Sequence, residues 1–412
     1  MSGKFPMGFW NYQPAGKYGP EEVKRWADCG MTLTLSPTFT YGQSDKAAFL
    51  ALLDACAAQG VRLIVCIPSL NFSGDADAET YRRDFKKAYD DFGRHPAVFG
   101  FFIGDEPSGE KQMAACVRAY HIQLEVAPEL TPFLNFNPYW PNIEKEALGG
   151  RTFSAWAREF AAATSCRLIC YDHYSQMNPG EEGIDAYFLS MKKYGDAAKA
   201  ANLPLWTTLL SVGHFRYRVP DEDDLRWQLG SAVACGCRGI LWFFFYNGMP
   251  CNNYRGSPID EFGGKTETYT RLSLVLRRFH AMYGDLLSTL NFREAFHLVK
   301  SYGGFPLFPE DSHPHISRVE SVHGVPGILS FYEDSHGKEY AVLANNSPFE
   351  SGQFRFVLPR EKTHNVIRIG LNGKSMEDFR AFHHDAYYAE TANTIRPGVW
   401  LAPGQMEIFI ID

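Results

Sequence analysis

The sequence predicts an α/β protein, a (β/α)8 TIM barrel followed by a smaller antiparallel β-sandwich domain. Three observations carry this reading. Apolar strand-like runs alternate with amphipathic helical stretches as far as about residue 285. After that point cysteine disappears, helical periodicity fades, and short segments stand between turn residues. Where a doubly wound sheet would carry a Gly-rich phosphate loop after its first strand, this chain has Trp10-Asn11-Tyr12-Gln13.

Eight strands are read at 7–10, 31–37, 61–68, 98–106, 131–138, 167–174, 205–212 and 239–247. Helices are read at 21–29, 46–59, 81–92, 111–126, 153–164, 186–201, 222–235 and 268–283, each with apolar residues on one face. Gly30, Gly60 and Gly236 stand where helices would end, as left-handed caps require. A parallel repeat of eight such units closes into a barrel, which places the catalytic barrel at 1–288 and the sandwich at 289–412. Sandwich strands are expected at 328–332, 340–345, 353–358, 366–371 and 406–411, with turns at Asn372-Gly373 and Pro403-Gly404. The Pro- and His-rich stretch 305–315 reads as a surface loop, because proline cannot donate to a ladder.

Composition narrows the function. The chain has 412 residues, 45% of them hydrophobic and 21% charged, which describes an ordinary globular protein. A formal net charge of −7 leaves no cationic excess for nucleic acid or anionic membrane, so a neutral or small partner is expected. No uncharged window reaches membrane-spanning length, and the first residues show no leader pattern. The nine cysteines, Cys29, Cys56, Cys66, Cys116, Cys166, Cys170, Cys235, Cys237 and Cys251, are an odd number set in apolar surroundings. This reads as reduced thiols in a cytoplasmic protein. Their spacings do not match structural zinc, and neither a metal nor a cofactor is expected.

The most informative feature is Asp105-Glu106, which ends the apolar run Val98-Phe99-Gly100-Phe101-Phe102-Ile103-Gly104 and precedes Pro107. Two carboxylates at the carboxyl end of a buried parallel strand are costly unless they line a cavity. The plain alternative is an acidic start to the next helix. Barrel active sites lie where strands end, so the other tips can be read as one ring. The first contributes Trp10, Asn11 and Tyr12, the third Asn71, and the fifth Asn135, Asn137, Tyr139 and Trp140. The sixth adds Asp172, His173 and Tyr174, the seventh His214, and the eighth Trp242, Tyr246 and Asn247. Aromatic faces for C–H surfaces, amides for hydroxyls and a few carboxylates together suit a carbohydrate. Each aromatic could instead be core, Trp242 above all, inside Leu241-Trp242-Phe243-Phe244-Phe245.

On these strand ends the chain resembles the clan A glycoside hydrolases, in particular the β-galactosidase-like branch with a β-sandwich after the barrel. In that clan the fourth strand ends in Asn-Glu, often followed by Pro. The resemblance implies that Glu106 is the general acid/base, Asp105 a substrate-orienting residue, and Trp242 the platform beneath the reacting sugar. One departure is plain: the clan's second Glu ends the seventh strand, yet residues 205–214 contain no acid. Asp221, Glu222, Asp223 and Asp224 read as the charged start of a helix. Two completions remain open. Asp172 can supply the second carboxylate, as nucleophile or as base for water, or a 2-acetamido group of the substrate can attack, as in N-acetylhexosaminidases, with Asp105 orienting it and Tyr174 holding its carbonyl. Either way Glu106 is expected to stay protonated near neutrality, through burial beside Phe101, Phe102 and Ile103 and through the adjacent Asp105. Two other classes fit less of the ring: a metal-dependent sugar isomerase using Glu106, Asp172, His173 and His214, and a glycan-binding barrel without catalysis.

Overall fold

The eight apolar runs before residue 248 form eight parallel strands. The computed structural model describes residues 4–72, 77–248, 253–374, 376–379 and 385–412. The strands are β1 (Met7–Phe9), β2 (Leu33–Thr38), β3 (Arg62–Cys66), β4 (Val98–Asp105), β5 (Phe133–Phe136), β6 (Ile169–Asp172), β7 (Leu205–Leu210) and β8 (Cys237–Phe243). They lie in the order β1-β8-β7-β6-β5-β4-β3-β2, one sheet curled until its two edges meet.

At that seam side chains join in the pairing. The backbone N–H groups of Met7 and Phe9 donate to Thr32 Oγ1 and Thr34 Oγ1 at 3.0 and 3.1 Å, and Thr32 N–H donates to Met7 O at 2.7 Å. Gly8 permits this approach, since a Cβ there would sit 1.6 Å from Leu33 O.

Around the sheet run α1 (Glu22–Cys29), α2 (Lys46–Gln59), α3 (Ala78–Ala88), α4 (Gly109–Val126), α5 (Ile143–Glu146), α6 (Phe153–Thr164), α7 (Glu181–Ala201), α8 (Glu222–Ala234), α9 (Glu267–Phe279) and α10 (Asp285–Thr289). Asp45, Asp77, Thr152 and Asp221 cap α2, α3, α6 and α8 with side-chain oxygens, and Asp221 with Asp224 forms a reciprocal capping box. The acidic run 221–224 is therefore a helix start, as its composition suggests. Helix α7 begins five residues before the expected 186. Gly183 is needed in its first turn because a Cβ there would meet Ser175 O at 2.0 Å.

The remaining strands are antiparallel: β9 (Asn291–Leu298), β10 (Arg318–Ser321), β11 (Gly327–Glu333), β12 (Glu339–Asn345), β13 (Gly352–Pro359), β14 (Val366–Ile369), β15 (Met376–Asp378), β16 (Ala386–Glu390), β17 (Thr394–Leu401) and β18 (Met406–Ile411). They build a sheet β10-β13-β17-β16 and a second sheet β15-β14-β18-β12-β11-β9. Phe354, Phe356, Leu343, Leu401 and Phe409 form the core between them, with Phe356 and Phe409 edge to face at 5.2 Å. All five expected segments are strands. The other five escape the pattern: β9 mixes polar with apolar residues at a sheet edge, and β17 carries Pro397. That proline falls where the β13–β17 pairing skips from Gly398 to Ile395, so no ladder bond to β13 is lost.

The sandwich is tied to α8 and to the segment after α9. Trp227 Nε1 donates to Asn346 Oδ1 at 3.0 Å, Arg226 Nε to Pro403 O at 2.7 Å, and the Tyr283 hydroxyl to Glu407 Oε2 at 2.5 Å. Among the described residues no helix is long and apolar enough to cross a membrane.

Candidate active site

Strand β4 delivers the acidic pair to the carboxyl end of the barrel. Gly104 is required just before it, because a Cβ would lie 2.1 Å from the Phe72 ring. Glu106 then turns out of the strand with φ +48°, a left-handed conformation rare for a residue with a side chain. Its N–H is held by Asn135 O at 2.9 Å.

Asn135 organises the acids. It sits in register with Asp105 on one side and Cys170 on the other. Its Nδ2 donates to Asp105 Oδ1 at 3.0 Å and to Asp172 Oδ1 at 2.8 Å. One neutral amide thus binds a carboxylate from β4 and one from β6. Among the described residues no Lys or Arg pairs with Asp105, Glu106 or Asp172.

Asp105 and Glu106 open to solvent on one side of the cleft and are walled by protein on the others, whereas Asp172 is buried at 8% exposure. Burial, with the Glu106 charge beside it, pushes the Asp105 carboxyl up to about 6, against the Asn135 hydrogen bond. Burial also raises Glu106. Asp172 is held well above the usual carboxylate range by burial first and then by the charges of Glu106 and Asp105. Hydrogen bonds from Asn135 and Tyr174 oppose that rise. The three acids lie in one coupled set, and burial is the first cause of the rise in each.

Aromatic rings surround the set. Tyr12 stands 54% exposed, stacked on Trp10 at 6.0 Å. Phe243 lies 5.5 Å from the Tyr174 ring, 5.2 Å from His214 and 6.0 Å from Tyr12. Tyr217 and Tyr254 pack on His214 at 5.0 and 5.2 Å. Burial pulls His214 down to about 4, so it is neutral at physiological pH. Tyr12, Phe243, Phe244 and Tyr254 open onto a cavity of ≈ 510 Å³.

The remaining expected residues divide. Trp10 is buried beneath the mouth, its Nε1 donating to Thr208 Oγ1 at 3.1 Å. Asn11 is buried with its Oδ1 accepting from Gln13 N at 3.0 Å and its Nδ2 without a partner among the described residues. Asn71 lies beside Gly104, and Asn137 Nδ2 donates to Pro107 O at 3.1 Å, fixing the turn after Glu106. Tyr139 and Trp140 pack toward α5 and α6, Tyr139 against Phe153 at 5.5 Å and Trp140 through a hydrogen bond to Glu146 at 2.9 Å.

Four of the expected residues have their polar groups or rings engaged within the protein. Trp242 has no accessible surface and packs in the layer between barrel and helices, so it presents no face to a ligand. Phe243 occupies the mouth instead. Alternation along β8 carries this signal, since Leu241 points into the barrel and Phe243, two residues on, must do the same. Tyr246 is structural, its hydroxyl donating to Glu22 Oε2 at 2.9 Å and accepting from Trp26 Nε1, with its ring stacked on Tyr18 at 4.7 Å. Asn247 anchors the loop after β8, its N–H on Ile259 O and its Nδ2 3.3 Å from Glu261 Oε2. His173 has both ring nitrogens engaged, with Ser190 Oγ at 2.7 Å and with Ser175 Oγ, and burial lowers it to about 4. Glu106 also differs from expectation in being open to the cleft rather than enclosed.

Among the described residues no group of three His, Cys, Asp or Glu is placed to hold a metal ion. Eight cysteines are buried and unpaired, and Cys251 lies outside the described residues.

No family model and no curated protein matches the chain in sequence. Solved structures do match in fold. A glycoside hydrolase superposes with TM-score 0.58 at 11% identity, over 100% of this chain and 95% of its own. A family 39 glycoside hydrolase from Bacteroides cellulosilyticus WH2 gives 0.54 at 10% identity, over 100% and 81%. The fold is that of a barrel glycoside hydrolase. Another such structure, the β-galactosidase of Rahnella sp. R3, gives 0.54 at 11% identity over 71% of this chain. The chain spans 58% of that enzyme and 59% of a β-galactosidase from Marinomonas ef1.

Proposed function

We propose that the protein is a glycoside hydrolase acting on a carbohydrate substrate at the carboxyl end of the barrel, with Glu106 as general acid/base and Asp172 as the second carboxylate. The observation that carries this is the carboxylate set itself: Asp105 and Asp172 held on one amide with Glu106 alongside, raised together and ringed by Tyr12, Tyr174, Tyr217 and Phe243. Such a set can both give and take a proton near neutrality, which glycosidic cleavage requires. Asp105 and Glu106 both open to the cleft, and because Asp105 is held by the Asn135 amide, Glu106 is the one able to reach a leaving-group oxygen. Asp172 lies deeper, raised by burial and by the neighbouring acids, and ionises when a bound sugar or the developing positive charge at the anomeric carbon favours it. Trp10 and Phe243 supply apolar floor and wall, and Asn11 offers a buried amide donor for a hydroxyl.

The empty seventh strand tip supports a second reading, in which the substrate's 2-acetamido group attacks and Asp105 orients it. Asp172→Ala and Asp105→Ala, assayed on matched 4-nitrophenyl glycosides with a 2-hydroxyl or a 2-acetamido group, separate the two. The first reading expects loss of turnover in Asp172→Ala, partly restored by azide. The second expects inert 2-hydroxy substrates and the larger loss in Asp105→Ala. Full activity in both variants would overturn both readings.

A further inference from the structure

The opposite end of the barrel holds a second site. A cavity of ≈ 470 Å³ opens at the amino ends of the strands, lined by residues from or just before every strand of the barrel. Four of these are cationic, Lys4, Arg62, Arg167 and Arg238, and none is Asp or Glu. This is notable in a chain with a formal net charge of −7.

The arginines are only partly occupied. Arg167 is spent on the turn before β5, where it donates to the carbonyls of Pro128, Glu129 and Leu130. Arg62 has one such bond, Nη2 to Val98 O at 3.0 Å, and Arg238 one, Nη2 to Ser288 O at 3.2 Å. A guanidinium carries five N–H donors, so both keep donors unused. Among the described residues no carboxylate pairs with any of the four cations, and the carboxylate of nearby Glu129 is taken by the Tyr89 hydroxyl at 2.7 Å. Burial without a counter-charge is unfavourable, and it lowers both Arg62 and Arg238. An anion would relieve it.

The floor is aromatic. Phe99 and Trp206 stack at 5.8 Å, and Trp206 fits there because residue 239 is glycine, where a Cβ would meet the indole at 2.4 Å. The Arg62 guanidinium lies over the Phe99 ring at 5.0 Å, so cation and aromatic surface adjoin, which suits a ligand with a charged head and a planar body. Several guanidinium forks around one opening favour a dianion over a carboxylate. We propose that the amino-terminal mouth of the barrel binds a phosphate monoester with a flat organic body. The volume lies within the range of small-ligand pockets.

Calorimetric titration with phenyl phosphate tests this, with inorganic phosphate, benzoate and phenyl β-glucoside as comparison probes. Saturable binding of one phenyl phosphate per chain is expected with a dissociation constant below about 1 mM, weakened by added salt. Arg62→Gln and Arg238→Gln should each weaken it by roughly tenfold, and Lys4→Gln by roughly two- to threefold. Benzoate and inorganic phosphate should each bind more weakly, and phenyl β-glucoside should not compete. Lys4 is exposed, so Lys4→Gln and the salt series keep the test valid even where an arginine variant fails to fold. Absence of saturable binding would overturn the proposal, as would affinity unchanged by salt and by Lys4→Gln. Equal affinity for benzoate would overturn the dianion, and equal affinity for inorganic phosphate would overturn the role of the aromatic floor.

Discussion

At the carboxyl end of the barrel Asp105 and Asp172 meet across the Asn135 amide with Glu106 alongside, and among the described residues no Lys or Arg pairs with them. At the amino end Lys4, Arg62, Arg167 and Arg238 surround an aromatic floor, with no acid lining the opening. The same eight strands supply both ends, and the difference between them is one of titration. Burial raises all three carboxyls, and neighbouring charges add to the rise for Asp105 and Asp172, so these acids hold their protons to higher pH than free carboxyls do. Guanidinium groups keep their protons under any such crowding and settle their charge on backbone carbonyls. On the proposed readings one end serves proton transfer and the other holds an anion.

The sharpest break between the ends should appear in turnover. Glu106→Gln is expected to lower kcat on an aryl glycoside by about 10² to 10⁴-fold, and Asp172→Ala nearly as much. Arg238→Gln should leave it within about twofold, because no bond links that residue to the acidic set. Steady-state kinetics on the three variants checks this, and a large loss in Arg238→Gln would erase the division.

Stability gives the next effect. A folded-state pKa raised above the unfolded value of about 4 means that Asp172 contributes stability fully present below that pH and lost as pH rises through the folded value. Asp172→Asn keeps the acceptor for Asn135 and removes the titration. It should raise the melting temperature at pH 7 by on the order of a few degrees, with the gain shrinking toward pH 4. A gain independent of pH would show that the buried charge is not its cause.

A smaller effect concerns Asp105 itself. Its carboxyl, pushed up to about 6 by burial and then by Glu106, should titrate lower in Glu106→Gln, because one of the raising charges is gone. Carbon-detected NMR titration of the Asp105 carboxyl reads this directly. Smallest of all, exhaustive chelation should leave turnover unchanged. Loss of activity restored by one divalent ion would replace the acid pair with a metal as the reactive group.

Much of this was legible in the residues. Period and length give the barrel, and the run 98–106 places its acids at a strand tip because nothing else in the chain is so apolar up to so abrupt a charge. The ring of tips was legible as a set but not residue by residue. Tyr246 and Asn247 follow the mouth in sequence yet turn back toward Glu22 and the loop around Ile259, a tertiary choice that no local pattern encodes. Trp242 was misplaced through its identity, although the period of two on β8 already puts Phe243 at the mouth. The bridging amide of Asn135 depends on the register of three strands. The basic end was invisible because its four cations are scattered from Lys4 to Arg238.

Hydrolysis of a panel of α- and β-linked 4-nitrophenyl glycosides by the wild-type protein and by Glu106→Gln tests whether Glu106 drives glycosidic cleavage. Release of 4-nitrophenol by the wild type from at least one anomeric series is expected, with a loss of about 10² to 10⁴-fold in the variant on the same substrate. A wild type inert toward every glycoside while it still binds sugar, or a variant as active as the wild type, would contradict it.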